Sequence, residues 1–155
     1  MLDQLQSVFA SFQKNDVRYL VIGGIAAVLY GVPRATFDLD ILIEPTIENA
    51  ERLLAALTEL GFGTASMTSP DELVSKEITI FADRIRLDVQ TSTPGIEFKD
   101  VWKRRVTMNY KGQGFQVVSL RDLISSKRAA GRVVDFWKMS KCLQAIQART
   151  ESART

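Results

Sequence analysis

Asp38 and Asp40 are the side chains best suited to chemistry, because they stand two positions apart at the start of the apolar run 41–43. On a β-strand, residues with this spacing project from the same face, roughly 6 to 7 Å apart. Two neighbouring carboxylates repel one another unless a positive charge lies between them. Oxygen ligands without histidine or cysteine suit Mg²⁺ or Mn²⁺ better than Zn²⁺, so the pair predicts a hard divalent-cation site.

Gly23 and Gly24 end an earlier apolar run, 19–22, and a short apolar helix is predicted to start on them. With no side chains in the way, the backbone N–H groups of such a turn can approach a polyphosphate closely. A glycine pair after a strand is also compatible with a simple turn. Together with the two aspartates, however, it predicts a metal and nucleotide site at the end of a sheet.

Asp88 is the candidate for a third acid, because the segment 85–90 alternates apolar and polar residues as a strand does. Its polar face carries Arg86, Asp88 and Gln90. If this strand lies beside the one that carries Asp38, then Asp88 faces the same cleft and can bind a metal or accept the proton of an attacking hydroxyl. The alternative is a solvent-facing carboxylate on an amphipathic strand.

Composition narrows the possible chemistry. The 155 residues include no histidine, which excludes Ser-His-Asp and Cys-His catalysis and His-based zinc sites. The single cysteine, Cys142, allows no internal disulfide and fits a reduced, cytoplasmic setting. No apolar run approaches the ~20 residues that a membrane span needs, and the amphipathic N-terminus is not a signal peptide. A net charge of +2 predicts no particular partner, although basic residues cluster at 103–105 and 127–132.

The elements that must position these residues form an interleaved pattern, which indicates an α/β (α+β) protein with a mixed β-sheet and flanking helices. Strands are predicted at 18–22, 36–43, 62–66, 77–81, 85–90, 106–110 and 115–118. Helices are predicted at 2–14, 24–30, 46–61, 98–104, 120–130 and 134–147. We therefore expect one domain over 1–148, with a core at about 17–118, C-terminal helices at 119–148 and a frayed tail at 149–155.

The order Gly23-Gly24, then Asp38-x-Asp40, then a third aspartate on a later strand resembles the nucleotidyltransferase superfamily related to DNA polymerase β. The stretch 23–43 is most similar to small bacterial nucleotidyltransferase-like proteins related to the AbiEii toxin and to minimal nucleotidyltransferases. The segment 119–135 also resembles the helix that follows the catalytic domain in that group, which implies a nucleotidyltransferase fold with a C-terminal helical segment.

This resemblance implies that Gly23 and Gly24 hold the nucleotide phosphates, that Asp38, Asp40 and Asp88 are catalytic metal ligands for Mg²⁺ or Mn²⁺, and that Lys127 contacts phosphate or substrate. It implies transfer of a nucleoside monophosphate from an NTP, such as ATP, to a hydroxyl of RNA (including tRNA), protein or a small molecule. It also implies a toxin–antitoxin or phage-defence setting with a cognate toxin or antitoxin partner.

Several assignments stay open on the sequence. Arg34, just before the acids, is predicted either to reach a phosphate or to cap its loop. Lys127 and Arg128 either bind phosphate or complement the end of their helix. The cluster 103–105 is either a solvated face or a surface that steers a polynucleotide toward the cleft. For the whole chain, the alternatives to an enzyme are a non-catalytic antitoxin or scaffold with the same fold and an RNA-binding protein.

Overall fold

The computed structural model describes residues 2–32 and 38–131, and beyond them 141, 144–145, 148–149 and 151–153. In chain order the elements are α1 (Leu2–Lys14), β1 (Tyr19–Ile22), α2 (Gly23–Leu29), β2 (Asp38–Ile43), α3 (Ile47–Glu59), α4 (Pro70–Ser75), β3 (Ile78–Ala82), β4 (Arg86–Gln90), α5 (Phe98–Val101), β5 (Val106–Tyr110), β6 (Gln113–Val117) and α6 (Leu120–Ala129). Two short 3₁₀ helices, Gly63–Met67 and Trp102–Arg104, complete the described part.

The strands form one mixed sheet in the order β3-β4-β2-β1-β6-β5. Strand β1 pairs antiparallel with β2 and parallel with β6, while β2 pairs parallel with β4. The outer pairs, β3 with β4 and β5 with β6, are antiparallel hairpins. This confirms the mixed α+β class, and it places the two strands that carry the predicted acids, β2 and β4, side by side.

One face of the sheet is closed by α1 and α3. Tyr19 of β1 packs against Phe9 and Phe12 of α1, with ring centroids 6.0 and 4.8 Å away, and Phe9 also stacks on Phe115 of β6 at 4.5 Å. The hydroxyl of Ser11 donates to the carbonyl of Ala56 at 3.1 Å and so joins α1 to α3. These contacts bury the apolar side of the sheet in one hydrophobic core.

Asn49 fixes the two central strands relative to each other. Its side chain, in α3 and only 1% exposed, donates to the carbonyls of Arg18 and Glu44 at 3.0 and 2.9 Å and accepts from the N–H of Arg18 at 2.8 Å. Arg18 directly precedes β1 and Glu44 directly follows β2. The buried amide therefore satisfies backbone groups at one end of both strands and holds the register that sets Ile22 opposite Asp40 at the other.

Local signals in the sequence account for most of the elements. Two helices begin at side-chain caps, since the hydroxyl of Thr46 accepts from the N–H of Asn49 and that of Ser119 from the N–H of Asp122. Predicted strands and helices match the observed ones to within two residues over most of the described chain. For the strand predicted at 36–43, residues 36 and 37 lie outside the described part.

The edge strand predicted at 62–66 is wrong, because this segment forms the 3₁₀ helix Gly63–Met67. Small polar side chains bond to nearby carbonyls here: Ser66 donates to Gly63 at 2.9 Å, and Thr68 donates to Thr64 at 2.9 Å. Such local side-chain bonds compete with ladder pairing, and they favour a compact turn. The two edges of the sheet are formed by β3 and β5.

The helix predicted at 134–147, with Cys142, falls mainly on residues outside the described part, and Arg34 also lies outside it. Within the described residues, no helix combines the length and the apolar character needed to span a bilayer.

Candidate active site

Asp40 and Asp88 lie side by side on neighbouring parallel strands. The register of β2 and β4 pairs Asp40 with Asp88, so their Cα atoms are separated by about one strand spacing, ~4.8 Å. Asp38 lies two residues earlier on the same face of β2, while Leu39 and Leu87 point to the opposite face and are fully buried. The structure thus brings the three predicted acids together across two adjacent strands, as the sequence requires for a shared site.

The glycine turn lies directly beside Asp40. Strand β1 ends at Ile22, which pairs with Asp40, so Gly23 and Gly24 begin α2 next to that carboxylate. Gly23 has a φ of +69°, a conformation that other residues adopt only under strain. A methyl group at this position would also overlap Oδ2 of Asp40. Position 23 therefore requires glycine for two reasons, the positive φ of its backbone and the close approach of the carboxylate.

Lys127 approaches the acids from α6. Ser119 caps this helix, and Lys127 lies in its last turn with only 5% of its surface exposed. Its ammonium group is close enough to lower the pKa of Asp40, against the stronger effects that raise it. This places Lys127 in the cleft, whereas the next residue, Arg128, is exposed.

Gly95 keeps α6 close to the sheet. It lies in the loop after β4, with a φ of +82°. A methyl group at this position would lie 2.6 Å from Cβ of Ala129 and 2.8 Å from the carbonyl oxygen of Ser125. The absence of a side chain therefore lets the loop that follows Asp88 pack directly on the helix that carries Lys127. The sequence alone does not indicate this packing role of Gly95.

These parts enclose one cleft of about 510 Å³. Its lining includes six of the predicted site residues, namely Gly23, Gly24, Asp38, Asp40, Asp88 and Lys127. Thr93 and Pro94, from the loop after β4, contribute further wall that the sequence did not indicate. The seventh predicted residue, Arg34, lies outside the described residues.

Burial and like charge act together on Asp40. Desolvation is the largest cause, and the charge and hydrogen bond of Asp88 add to it, so that the pKa of Asp40 rises to about 6. The charge of Asp38 raises it further, and the charge of Lys127 lowers it. Because this partly buried carboxylate is costly to ionise, a cation beside it would stabilise its ionised form strongly.

Arg86 is a second cation at these acids. Its Nε donates to Oδ1 of Asp88 at 2.9 Å and its terminal nitrogen to Oδ2 at 3.3 Å, while Oδ2 of Asp38 lies 3.9 Å from Nε. The sequence puts Arg86 on the same strand face as Asp88, but that pattern did not predict which carboxylate it binds. The observed pairing is two-pronged, the geometry in which a guanidinium binds a carboxylate most firmly.

The donor set fits a hard divalent cation in its chemistry. All candidate ligands are carboxylate oxygens, from Asp38, Asp40 and Asp88, and Asp40 carries an unfavourable charge that a cation would relieve. Within the described ranges, no three acidic or sulfur side chains already converge as a ready metal cage. Arg86 is bonded to both oxygens of Asp88, so it would compete with a cation for this ligand.

The basic cluster at 103–105 is largely engaged in structure. Arg104 forms a two-pronged ion pair with the nearly buried Asp122, at 2.9 and 3.0 Å. The guanidinium of Arg105 lies 4.0 Å from the ring centroid of Trp102 and donates to its carbonyl at 2.9 Å. All three residues of the cluster are exposed, and Arg104 combines an exposed side chain with this ion pair, so the contacts of the cluster leave both sequence-based alternatives open.

The sheet, its helices and the placement of the cleft together form the nucleotidyltransferase fold. A solved structure from Thermotoga maritima, described as a "putative nucleotidyltransferase", matches with a TM-score of 0.61 over 93% of this chain and 92% of its own, at 19% identity. An antigenic nucleotidyltransferase-like protein from Paracoccidioides brasiliensis matches with a TM-score of 0.50 over 98% and 89%, at 16% identity. No family model and no curated protein matches the chain. At these identities the likeness establishes the fold.

Proposed function

We propose that this chain is a metal-dependent nucleotidyltransferase, which transfers a nucleoside monophosphate from an NTP to a hydroxyl acceptor. One observation carries the proposal: Asp88 lies in register with Asp40 on the adjacent parallel strand, beneath the turn of Gly23 and Gly24. A carboxylate that only faces solvent does not require this register. It also does not require a glycine with no room for a side chain beside it, or a buried lysine nearby.

The residues would divide the work as follows. Gly23 and Gly24 leave room for the triphosphate to approach the backbone, and Lys127 balances its negative charge. Arg34 is proposed as a further phosphate contact. Asp38, Asp40 and Asp88 would hold Mg²⁺ or Mn²⁺, which supplies charge neutralisation of the phosphates and activation of the acceptor oxygen.

The chemistry is a displacement at the α-phosphorus. The acceptor oxygen forms the new bond to phosphorus, the bond from phosphorus to the β-phosphate oxygen breaks, and pyrophosphate leaves. The proton of the acceptor hydroxyl passes to a carboxylate, for which we propose Asp88. Its pairing with Arg86 must open for this role.

The acceptor and the biological setting belong to the proposal as well. An RNA such as tRNA, a protein or a small molecule can each supply the hydroxyl, and a toxin–antitoxin or phage-defence pair would supply a cognate partner protein. Because Arg104 is paired with Asp122, the net positive charge that the basic cluster offers to RNA is reduced. This weighs against a purely RNA-binding role.

The test is incubation with each α-labelled NTP, Mg²⁺, and either total RNA or lysate protein. We expect label transfer that disappears in the Asp38→Asn, Asp40→Asn double variant. The matched control is Glu51→Gln, which removes a carboxylate from the exposed face of α3 and leaves transfer unchanged. Transfer that persists in the double variant would exclude the proposed mechanism.

A second function is favoured by one observation, the bond of Arg86 to both oxygens of Asp88. A site held closed by its own arginine suits a non-catalytic member of this fold, which acts as an antitoxin or scaffold through protein contacts. Calorimetric titration with NTP separates the two functions. The enzyme requires Mg²⁺-dependent binding of the nucleotide, whereas the scaffold predicts no such binding.

A further inference from the structure

Arg86 and a divalent cation would compete for the same atoms. The guanidinium donates to both carboxylate oxygens of Asp88, and it lies within ion-pair distance of Asp38. Asp88 is only 17% exposed at its side chain, so few of its oxygen lone pairs face water. The two oxygens offer about four lone-pair sites, of which Arg86 uses two, so an ion that binds this largely buried carboxylate competes with the guanidinium for access and repels its charge.

The surroundings of Arg86 allow it to leave. Its side chain is 48% exposed, and it starts β4 at the rim of the sheet. Its partner across the β3–β4 pair is Ala82, an exposed residue with only a methyl side chain. A guanidinium released from Asp88 can therefore turn over β3 into solvent without displacing core packing. The bond that it loses is a partly exposed ion pair, and such pairs are worth only about 1 kcal/mol or less.

We propose that Arg86 is an internal latch on the site: it neutralises Asp88 and Asp38 when no divalent cation is bound, and it must swing away for the cation to load. This inference rests on the proposed function, because it assigns a regulator to the same three carboxylates. In the protein without a bound cation, the latch reduces the electrostatic repulsion among the three carboxylates. It also raises the cation concentration that is needed for binding.

The latch predicts an order of Mn²⁺ affinities that can be measured without any nucleotide or turnover. Arg86→Gln removes the competitor and is expected to tighten Mn²⁺ binding about fivefold, the ratio that corresponds to one partly exposed ion pair. Arg86→Lys keeps the charge but loses the two-pronged geometry, so its affinity should lie closer to that of the Gln variant than to that of the unaltered protein. Calorimetry, or paramagnetic resonance of free Mn²⁺, provides the measurement.

Arg84→Gln is the matched control. Arg84 is an exposed cation in the turn before β4, two residues from Arg86, and its removal changes the net charge by the same amount. Its effect on Mn²⁺ affinity should stay below about twofold, because solvent screens charges that do not touch the site. Thermal melts of all three variants check that the fold is intact.

Three results would overturn the latch. Weaker binding in Arg86→Gln would show that the arginine organises the ligands. Equal affinity of Arg86→Lys and the unaltered protein would show that charge alone matters. No Mn²⁺ binding by any form would remove both the latch and the metal-dependent function.

The two proposals can also fail separately. The expected order of affinities without any label transfer would keep the latch and exclude the transferase. Transfer that depends on Asp38 and Asp40, with Mn²⁺ affinity insensitive to position 86, would keep the transferase and exclude the latch.

Discussion

The two faces of β2 and β4 carry alternate residues of the same two strands, but one face packs into the core and the other lines the cleft. On one face Leu39 and Leu87 are fully buried against the core. On the other, Asp38, Asp40 and Asp88 line an open cleft. Because side chains alternate along a strand, each residue that anchors the sheet is adjacent to one that serves the site. Packing on the core face therefore holds the acids in register, whereas on the site face the clustered carboxylates repel one another.

The largest expected effect breaks the core face alone. Leu87→Ala should lower the free energy of unfolding by about 3 to 4 kcal/mol, because it leaves a cavity in a closely packed core. The control is Ile80→Ala on the neighbouring strand and the opposite face, where 51% of the side chain is exposed. We expect it to cost less than about 0.5 kcal/mol. Urea unfolding measures both, and equal losses would mean that the two faces do not differ in packing.

A smaller effect tests the contact between the glycine turn and Asp40. Gly23→Ala should cost about 1 to 2 kcal/mol, from backbone strain and from overlap with the carboxylate, and it should weaken Mn²⁺ and NTP binding. Gly61→Ala is matched, because Gly61 also has a positive φ (+86°) but open space around its Cβ position. It should show the strain alone and leave binding unchanged. If both variants bind NTP normally, the close approach at position 23 has no role in the site.

The smallest effect is a gain in stability. The pKa of Asp40 rises from 3.8 to about 6 on folding, so above pH 6 the folded protein holds a charge that the unfolded chain carries more easily. Below pH 4 both states are protonated and the penalty vanishes. Asp40→Asn should therefore stabilise the protein at pH 8, and this gain should fade as the pH falls from 6 toward 4.

A pKa of about 6 for Asp40 corresponds to roughly 3 kcal/mol in a dry site, and solvent screening of this partly exposed carboxyl reduces the expected gain to about 1 kcal/mol. Urea unfolding at pH 8 and pH 4.5 measures it, and the control is Glu51→Gln, at an exposed position of α3. Destabilisation by Asp40→Asn at pH 8 would show that the carboxylate is a net stabilising group.

Local patterns in the sequence were enough for much of the fold and for the identity of the candidate acids. Alternation along 85–90 and the caps at Thr46 and Ser119 depend on neighbours within a few residues, which a sequence displays directly. The prediction of a strand at 62–66 was wrong because hydroxyl groups in this segment bond to nearby carbonyls. Hydrophobic periodicity contains no information about such bonds.

Partners that are distant in the chain could not be derived in this way. That Asp40 lies opposite Asp88 depends on the order of strands in the sheet, and the pairing of Arg104 with Asp122 depends on how a hairpin returns to α6. The bond from Arg86 to Asp88 depends on a rotamer. Sequence spacing gives the face on which such residues lie, but three-dimensional packing decides which of them touch.

The topology also divides the site by folding stability. Gly23 directly follows β1, and Asp38 and Asp40 belong to β2; these two strands are close in the chain, and Asn49 links them. Asp88 arrives with the β3–β4 hairpin, which joins β2 only through the non-local parallel pair. Non-local pairs carry the larger loop-closure entropy, so they form late and open first. A partial opening of this edge would remove Asp88 while the glycine turn and the other two acids stay in place, and hydrogen exchange would record it as a separate cooperative unit.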